Sequence, residues 1–176
     1  MSTPSSPVSY LHYLFTVMHL TSQEEGISLE FSLIKNYIFL VKYDSSGTEQ
    51  WTKQLEAPSL SYERSQGLAV DSSDNIYVSG WTRGKLDTYS GGDDTILVKY
   101  NSGGTKQWTR QFGAPSFLEK SQYNSSSQMT TSTDKGIGVA VDSSGNIYVT
   151  GNTDGVLDGN TNYGKKDIFL VKYNSM

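Results

Sequence analysis

The sequence predicts an all-β fold of small four-stranded antiparallel blades, about two of them, stacked as an incomplete ring. Three observations carry this prediction. Blocks of sequence recur at offsets of 57 to 73 residues, each interval holds four strand-like runs, and the composition suits pleated strands. Serine contributes 26 of the 176 residues, threonine 16 and glycine 17, so turn formers are abundant. Tyrosine supplies 12 of the 21 aromatics, and with Val, Ile, Thr and Trp it favours half-buried strands over helix. A hydrophobic fraction of 35% with only 4 prolines argues against general disorder.

The repeat defines the elements in order. Val41–Leu55 returns 57 residues later as Val98–Phe112, with 10 of 15 positions identical, including Trp51/Trp108 and Gln54/Gln111. The match extends through Ala57-Pro58-Ser59 and Ala114-Pro115-Ser116. Gly67–Asp87 returns as Gly138–Asp158, with 15 of 21 positions identical, and Val-Lys-Tyr appears a third time at Val171–Tyr173. The offsets differ because 14 residues are inserted after Pro115 and two more before Asp167. Within one period, Gly67–Val70 and Ile76–Trp81 flank Asp71-Ser72-Ser73-Asp74-Asn75, whose side chains bond nearby backbone and favour a tight turn. Thr95–Tyr100 and Gln107–Phe112 flank a second turn at Asn101–Gly104. Four strands joined by hairpins describe a propeller blade, and apolar residues on both strand faces fit sheets covered on two sides.

These residues carry a family resemblance. Gly138–Gly151, reading Gly-Val-Ala-Val-Asp-Ser-Ser-Gly-Asn-Ile-Tyr-Val-Thr-Gly, resembles the signature of the SBBP repeat, a seven-bladed β-propeller repeat of bacterial proteins. Asp167–Tyr173 and Gly104–Trp108 continue the pattern, and the resemblance covers about residues 38–175. It implies a propeller architecture and a bacterial cell-surface or secreted setting, and it supplies no catalytic motif. Residues 1–37 form a non-repeat N-terminal segment, and 38–176 form the repeat region. The latter divides into a partial blade at 38–59, a full blade at 67–113, an insertion-bearing loop at 117–136 and a partial blade at 138–173. Tyr37 stands where the other copies carry Asp94 and Asp167.

Closed rings usually have four to eight blades, and seven such periods need about 400 residues. Roughly 2.2 periods follow residue 37. A gene fragment, a ring assembled from several chains, or an open stack with a covered edge would each accommodate that count. An open stack exposes strand edges and an apolar face, so the isolated protein is expected to be poorly soluble or oligomeric.

Charge and composition exclude several functions. With 14 basic and 18 acidic residues the net charge is −4, which leaves no electrostatic footprint for nucleic acid. No apolar run has the length of a transmembrane helix. The absence of cysteine removes disulfides, thiolate nucleophiles and Cys-type zinc sites, and leaves the compartment open. Leu11–Leu20 is largely apolar, but no Lys or Arg precedes it and the first is Lys35, so a secretory signal is not visible; a buried strand or short helix is expected there. His12 and His19, both in this segment, have no acid or nucleophile patterned around them and are read as structural or solvated.

Several patterns imitate active chemistry. Gly159–Lys166 matches the first seven positions of a phosphate-binding loop, but Lys166 replaces the hydroxyl residue and a strand should follow instead of a helix. It is read as an inter-strand loop. Asp158, Asn160 and Asn162 alternate like the opening of a calcium loop, yet Tyr163 and Phe169 stand where Gly and Glu belong, so turn chemistry and a cation site both stay open. Asp93-Asp94 and Glu24-Glu25 are adjacent carboxylates, read as solvated acids. Lys42, Lys99 and Lys172 recur in one strand position, for an anionic partner or for structural pairing, while Trp51 and Trp108 recur as inter-blade packing. The chain is therefore expected to be a non-enzymatic scaffold or protein–protein interaction module without cofactor, metal or catalytic residues. Its partners would be other propeller blades, or a protein or glycan ligand. The alternatives are a fragment of a propeller hydrolase or lyase with its active site outside this chain, and a carbohydrate-binding surface built on Trp81, Tyr89 and Tyr163.

Overall fold

A computed structural model of the protein describes residues 20–21, 25–28, 38–55, 62–88, 90–120, 127–163 and 165–175, with 20–21, 25–28, 117–120 and 127–129 described as backbone only. The described residues are all-β and contain no helix. The first sheet has the order β1-β2-β3-β4, formed by Leu20–Thr21, Glu25–Ser28, Ile38–Asp44 and Glu49–Leu55. The second has the order β5-β6-β7-β8, from Glu63–Val70, Ile76–Thr82, Asp94–Tyr100 and Lys106–Phe112. Phe117–Lys120 (β9) and Ser127–Thr130 (β10) form a separate hairpin. The third sheet has the order β11-β12-β13, from Asp134–Val141, Ile147–Thr153 and Asp167–Tyr173. All pairings within sheets are antiparallel. These are the expected blades.

Two features differ from the sequence expectation. The predicted insertion-bearing loop at 117–136 is instead the β9–β10 hairpin followed by the start of β11 at Asp134. An insertion pairs as a hairpin because it then satisfies its own backbone groups. The first sheet also extends upstream of residue 38, since β2 pairs with β3 and β1 with β2. Residue 38 bounds the repeat signature and not the sheet. His12, His19, Glu24, Tyr89 and most of Leu11–Leu20 lie outside the described residues.

Alternation along each strand sorts the side chains into two layers. In β6 and β7, Ile76, Val78, Ile96, Val98 and Tyr100 face the first sheet and pack on Ile38, Leu40 and Leu55. Tyr77 and Leu97 point the other way and pack on Ile147, Val149 and Phe169 of the third sheet and on Leu157 of its β12–β13 loop. Phe112 closes this layer edge-on to Phe169, with ring centroids 5.6 Å apart. The second sheet is thus buried on both faces, and every residue of β6 is buried. Each fully buried Leu or Ile is worth roughly 1.5–3 kcal/mol of transfer free energy.

Polar contacts fix the register between sheets. Asp93 and Thr133 form a parallel bridge, and Asp134 N donates to Asp93 O at 2.6 Å. The Thr95 hydroxyl donates to Asp134 O at 3.1 Å. On the other side, Trp51 Nε1 donates to Ser102 O at 3.3 Å, and its ring lies over Gly104. Gly104 has φ of +74°, and a Cβ there would come within 3.0 Å of the indole, so both turn and packing require glycine.

Equivalent positions now have unequal surroundings. Leu40 and Leu97 are 2% and 0% exposed, whereas Leu170, at the same register position, is 70% exposed. Replacing Leu97 by Ala is expected to cost about 2–5 kcal/mol in urea unfolding. Leu170→Ala, measured at low protein concentration, is expected to stay within about 0.5 kcal/mol of the parent. Equal losses at the two positions would contradict the stacking.

Candidate functional site

The hairpin turns use one design. Asp71 Oδ1 accepts from Ser73 N and Asn75 N, both at 2.9 Å, and Oδ2 accepts from Asn75 Nδ2 and the Tyr77 hydroxyl. Asp142 repeats this with Ser144, Asn146 and Tyr148. Asp44 bonds Ser46 and Thr48, while Asn101 bonds Gly103 and Thr105. These side-chain oxygens are occupied as turn anchors. The Asn146 side chain, then its backbone N–H, holds the Asp142 carboxyl down at about 2. At Asp44 the Ser46 hydroxyl is the main cause of lowering. At Asp71 burial pushes upward, yet the bonds from Asn75, Ser73 and Tyr77 outweigh it and the pKa is lowered.

The recurring lysines also have structural settings. Lys99 lies over the Tyr77 ring at 5.2 Å, and Lys172 lies over Tyr148 at 5.6 Å, each across a strand pair. Lys42 is buried, Lys99 half-buried and Lys172 exposed. That gradient follows the stacking, because the turn at Ser102 covers Lys42. Trp51 and Trp108 sit in the two inter-sheet layers, with Trp108 6.2 Å from Tyr77.

Three expectations about surface groups need correction or restriction. Trp81 is not a loop aromatic; it is buried in β6, with Lys135 4.4 Å from its ring centroid. Of the proposed sugar-binding aromatics, Tyr163 is 90% exposed and Tyr89 lies outside the described residues. Asp93 and Asp94 are buried, not solvated. Asp93 pairs with Arg83 and with Lys135, the latter at 3.2 Å. Asp94 accepts from Ser90 N at 2.9 Å and from Gln111 Nε2 at 2.8 Å.

The loop resembling a phosphate cradle leads into strand β13, with no helix following it. Asn160 Nδ2 donates to Leu157 O and Asn162 Nδ2 to Gly155 O, which is turn chemistry. Among the described residues, no group of three or more His, Cys, Asp or Glu is placed to hold a metal.

Gln111 emerges as the key of the second sheet. Its Oε1 accepts from Leu86 N at 2.7 Å and Asp87 N at 3.1 Å, and its Nε2 donates to Gly84 O at 2.9 Å and Asp94 Oδ2. The side chain staples β8 to the loop between β6 and β7. Its recurrence as Gln54 was visible in sequence, but its partners were not. The third sheet carries the same frame. Gly155 N donates to Thr153 Oγ1 at 3.0 Å as Gly84 N does to Thr82 Oγ1 at 2.9 Å. Tyr163 N donates to Asp167 Oδ2 at 2.9 Å as Ser90 N does to Asp94. An open pocket of about 420 Å³ lies there, bordered by Thr153, Gly155, Leu157, Asp158, Asp167 and residues 168–171 of β13.

Stacked antiparallel blades of four, four and three strands with repeated turn anchors define a β-propeller repeat protein. The family profile for the SBBP β-propeller repeat matches residues 50–86 and 107–158, and the chain belongs to that family. A comparison with curated proteins finds no match to the chain.

The buried acids set a pH response of two signs. Burial raises the Asp94 carboxyl, with repulsion from Asp134 and Asp93 acting the same way. Folding therefore favours its protonated form, so stability should rise as pH falls through the raised value towards 3.8. Asp142 acts oppositely, and its contribution should be lost between 3.8 and about 2. Urea midpoints across this range are expected to lose the rise in Asp94→Asn and part of the acid drop in Asp142→Asn. Unchanged profiles would contradict the assignment.

Proposed function

We propose that this chain is a non-enzymatic repeat scaffold, an interaction module of a bacterial cell-envelope or secreted protein. It docks further propeller blades through the outer face of its third sheet. One observation carries the reading. Ile168 and Leu170 are 86% and 70% exposed, while their counterparts Ile38, Leu40, Thr95 and Leu97 are all at 2% or below because another sheet covers them. An apolar sheet face of this kind marks an interaction site. The polar residues that sequence motifs single out are committed to turns and seams, which supports a structural role over a catalytic one.

Native mass spectrometry tests the reading. The 19.4 kDa chain is expected to associate beyond the monomer at about 100 micromolar, a concentration that captures weak docking. The double variant Ile168→Asp with Leu170→Asp should return it to the monomer without changing its far-UV circular dichroism. A wild-type chain that stays monomeric at that concentration would overturn the docking face.

A further inference from the structure

We propose that Arg83 and Lys135, at the seam between the second and third sheets, bind an oxyanion group. The group is the phosphate, sulfate or carboxylate of a small acidic ligand.

Two residues hold both cations in place. Lys135 Nζ lies 4.4 Å and Arg83 Cζ 5.9 Å from the centroid of the buried Trp81 ring. At such distances a cation is attracted to the aromatic face. Arg83 also lies 5.4 Å from the Tyr62 ring, and its backbone N–H donates to Tyr62 O at 2.9 Å. Asp93 stands between the cations, with Oδ1 bonded to Arg83 Nε and Oδ2 to Lys135 Nζ. Its side chain is 5% exposed, against 55% for Arg83 and 29% for Lys135. One buried carboxylate therefore orients two cations from within and balances one of their two charges. A second anion fits on the solvent side of the pair, where charge-assisted bonds from a guanidinium and an ammonium can converge.

The surroundings leave that charge exposed. Arg64 stands opposite Trp81 in the β5–β6 register and is exposed, so it adds a third cation. Glu63, Asp94 and Asp134, next to these residues in the chain, are buried at 7% exposure or less. Asp154 is half-buried and accepts from Thr133 N at 2.6 Å.

The repeat departs from itself at this spot. Gly67–Asp87 and Gly138–Asp158 differ at six positions, and three of the six are Trp81/Asn152, Arg83/Asp154 and Lys85/Val156. Each changes size or charge, while the glycines, Thr82 and Leu86 among them are kept in kind as Gly151, Thr153, Gly155 and Leu157. Blade stacking is served by either version. The cation pair and its aromatic support belong to one seam alone among the described residues.

The three tryptophans provide the test, since each gives its own indole N–H signal in a ¹⁵N–¹H spectrum. The full chain is titrated at neutral pH and low salt with inorganic phosphate, sulfate and D-glucuronate, with glucose as the neutral control. A saturable shift confined to Trp81 is expected, and about 0.5 M NaCl should weaken it by screening. Arg83→Gln and Lys135→Gln should each weaken binding about tenfold, with the Trp51 and Trp108 signals in place as the check on folding. Equal responses to the free ions and to glucuronate assign the site to the oxyanion alone. A response to glucuronate only assigns it to a carboxylate carried on an organic body. No saturable Trp81 shift up to about 50 mM ligand overturns the proposal. So does a common drift of all three indoles, an equal response to glucose, or parent-like binding in both Gln variants.

Discussion

A sheet with two apolar faces has no stable existence alone in water, so β6 and β7 need a neighbour on each side. Their alternating side chains divide between two layers, one closed by Ile38, Leu40 and Leu55, the other by Ile147, Val149 and Phe169. Removing either flanking sheet would return Val78 and Val98, or Tyr77 and Leu97, to solvent. At about 25 cal/mol per Å² of apolar surface, that cost far exceeds any single hydrogen bond in the seams. The first and third sheets are each covered from the second-sheet side, which is why the same leucine is buried at positions 40 and 97 and exposed at 170.

Polar groups determine which faces meet and in what register. The bridge between Asp93 and Thr133 and the Thr95 bond to Asp134 O align the second and third sheets. At position 168 the equivalent of Thr95 is Ile, so the outer face of the third sheet offers an apolar contact where the second offers a hydroxyl. Buried carboxylates accompany the seam. Asp94 Oδ1 and Asp134 Oδ1 have no hydrogen-bond partner among the described residues, and a Cβ on Gly113 would meet Asp94 and come within 3.0 Å of Asp134. Charge burial at this junction costs stability, consistent with the raised Asp94 carboxyl. The layers on either side must offset it.

Local chemistry was legible in the sequence and long-range chemistry was not. Asp71 and Asp142 announced their turns because each side chain and the backbone it bonds lie within four residues of each other. The strands of each blade announced themselves through repetition and the turn residues between them, to within a few residues. β5 and β11 begin four residues ahead of the identical blocks, because each strand continues through a bulge at Ser65–Gly67 or Gly136–Gly138. By contrast, Gln111 meets partners 17 to 27 residues away, and nothing in its spacing foretells them. Trp81 ends the predicted run Ile76–Trp81 and also reads as a sugar-binding aromatic, yet β6 carries it into the seam under Lys135. The insertion revealed its length and not its pairing.

The central claim is that the second sheet is the keystone and that, among the described residues, β13 is the edge strand of its sheet. Residue-resolved hydrogen exchange tests it most directly, since protection follows burial and hydrogen bonding. The account predicts the slowest exchange in β6 and β7, with markedly faster exchange in the outward-facing amides of β13. Uniform protection across the three sheets, or β13 amides as slow as those of β7, would contradict it.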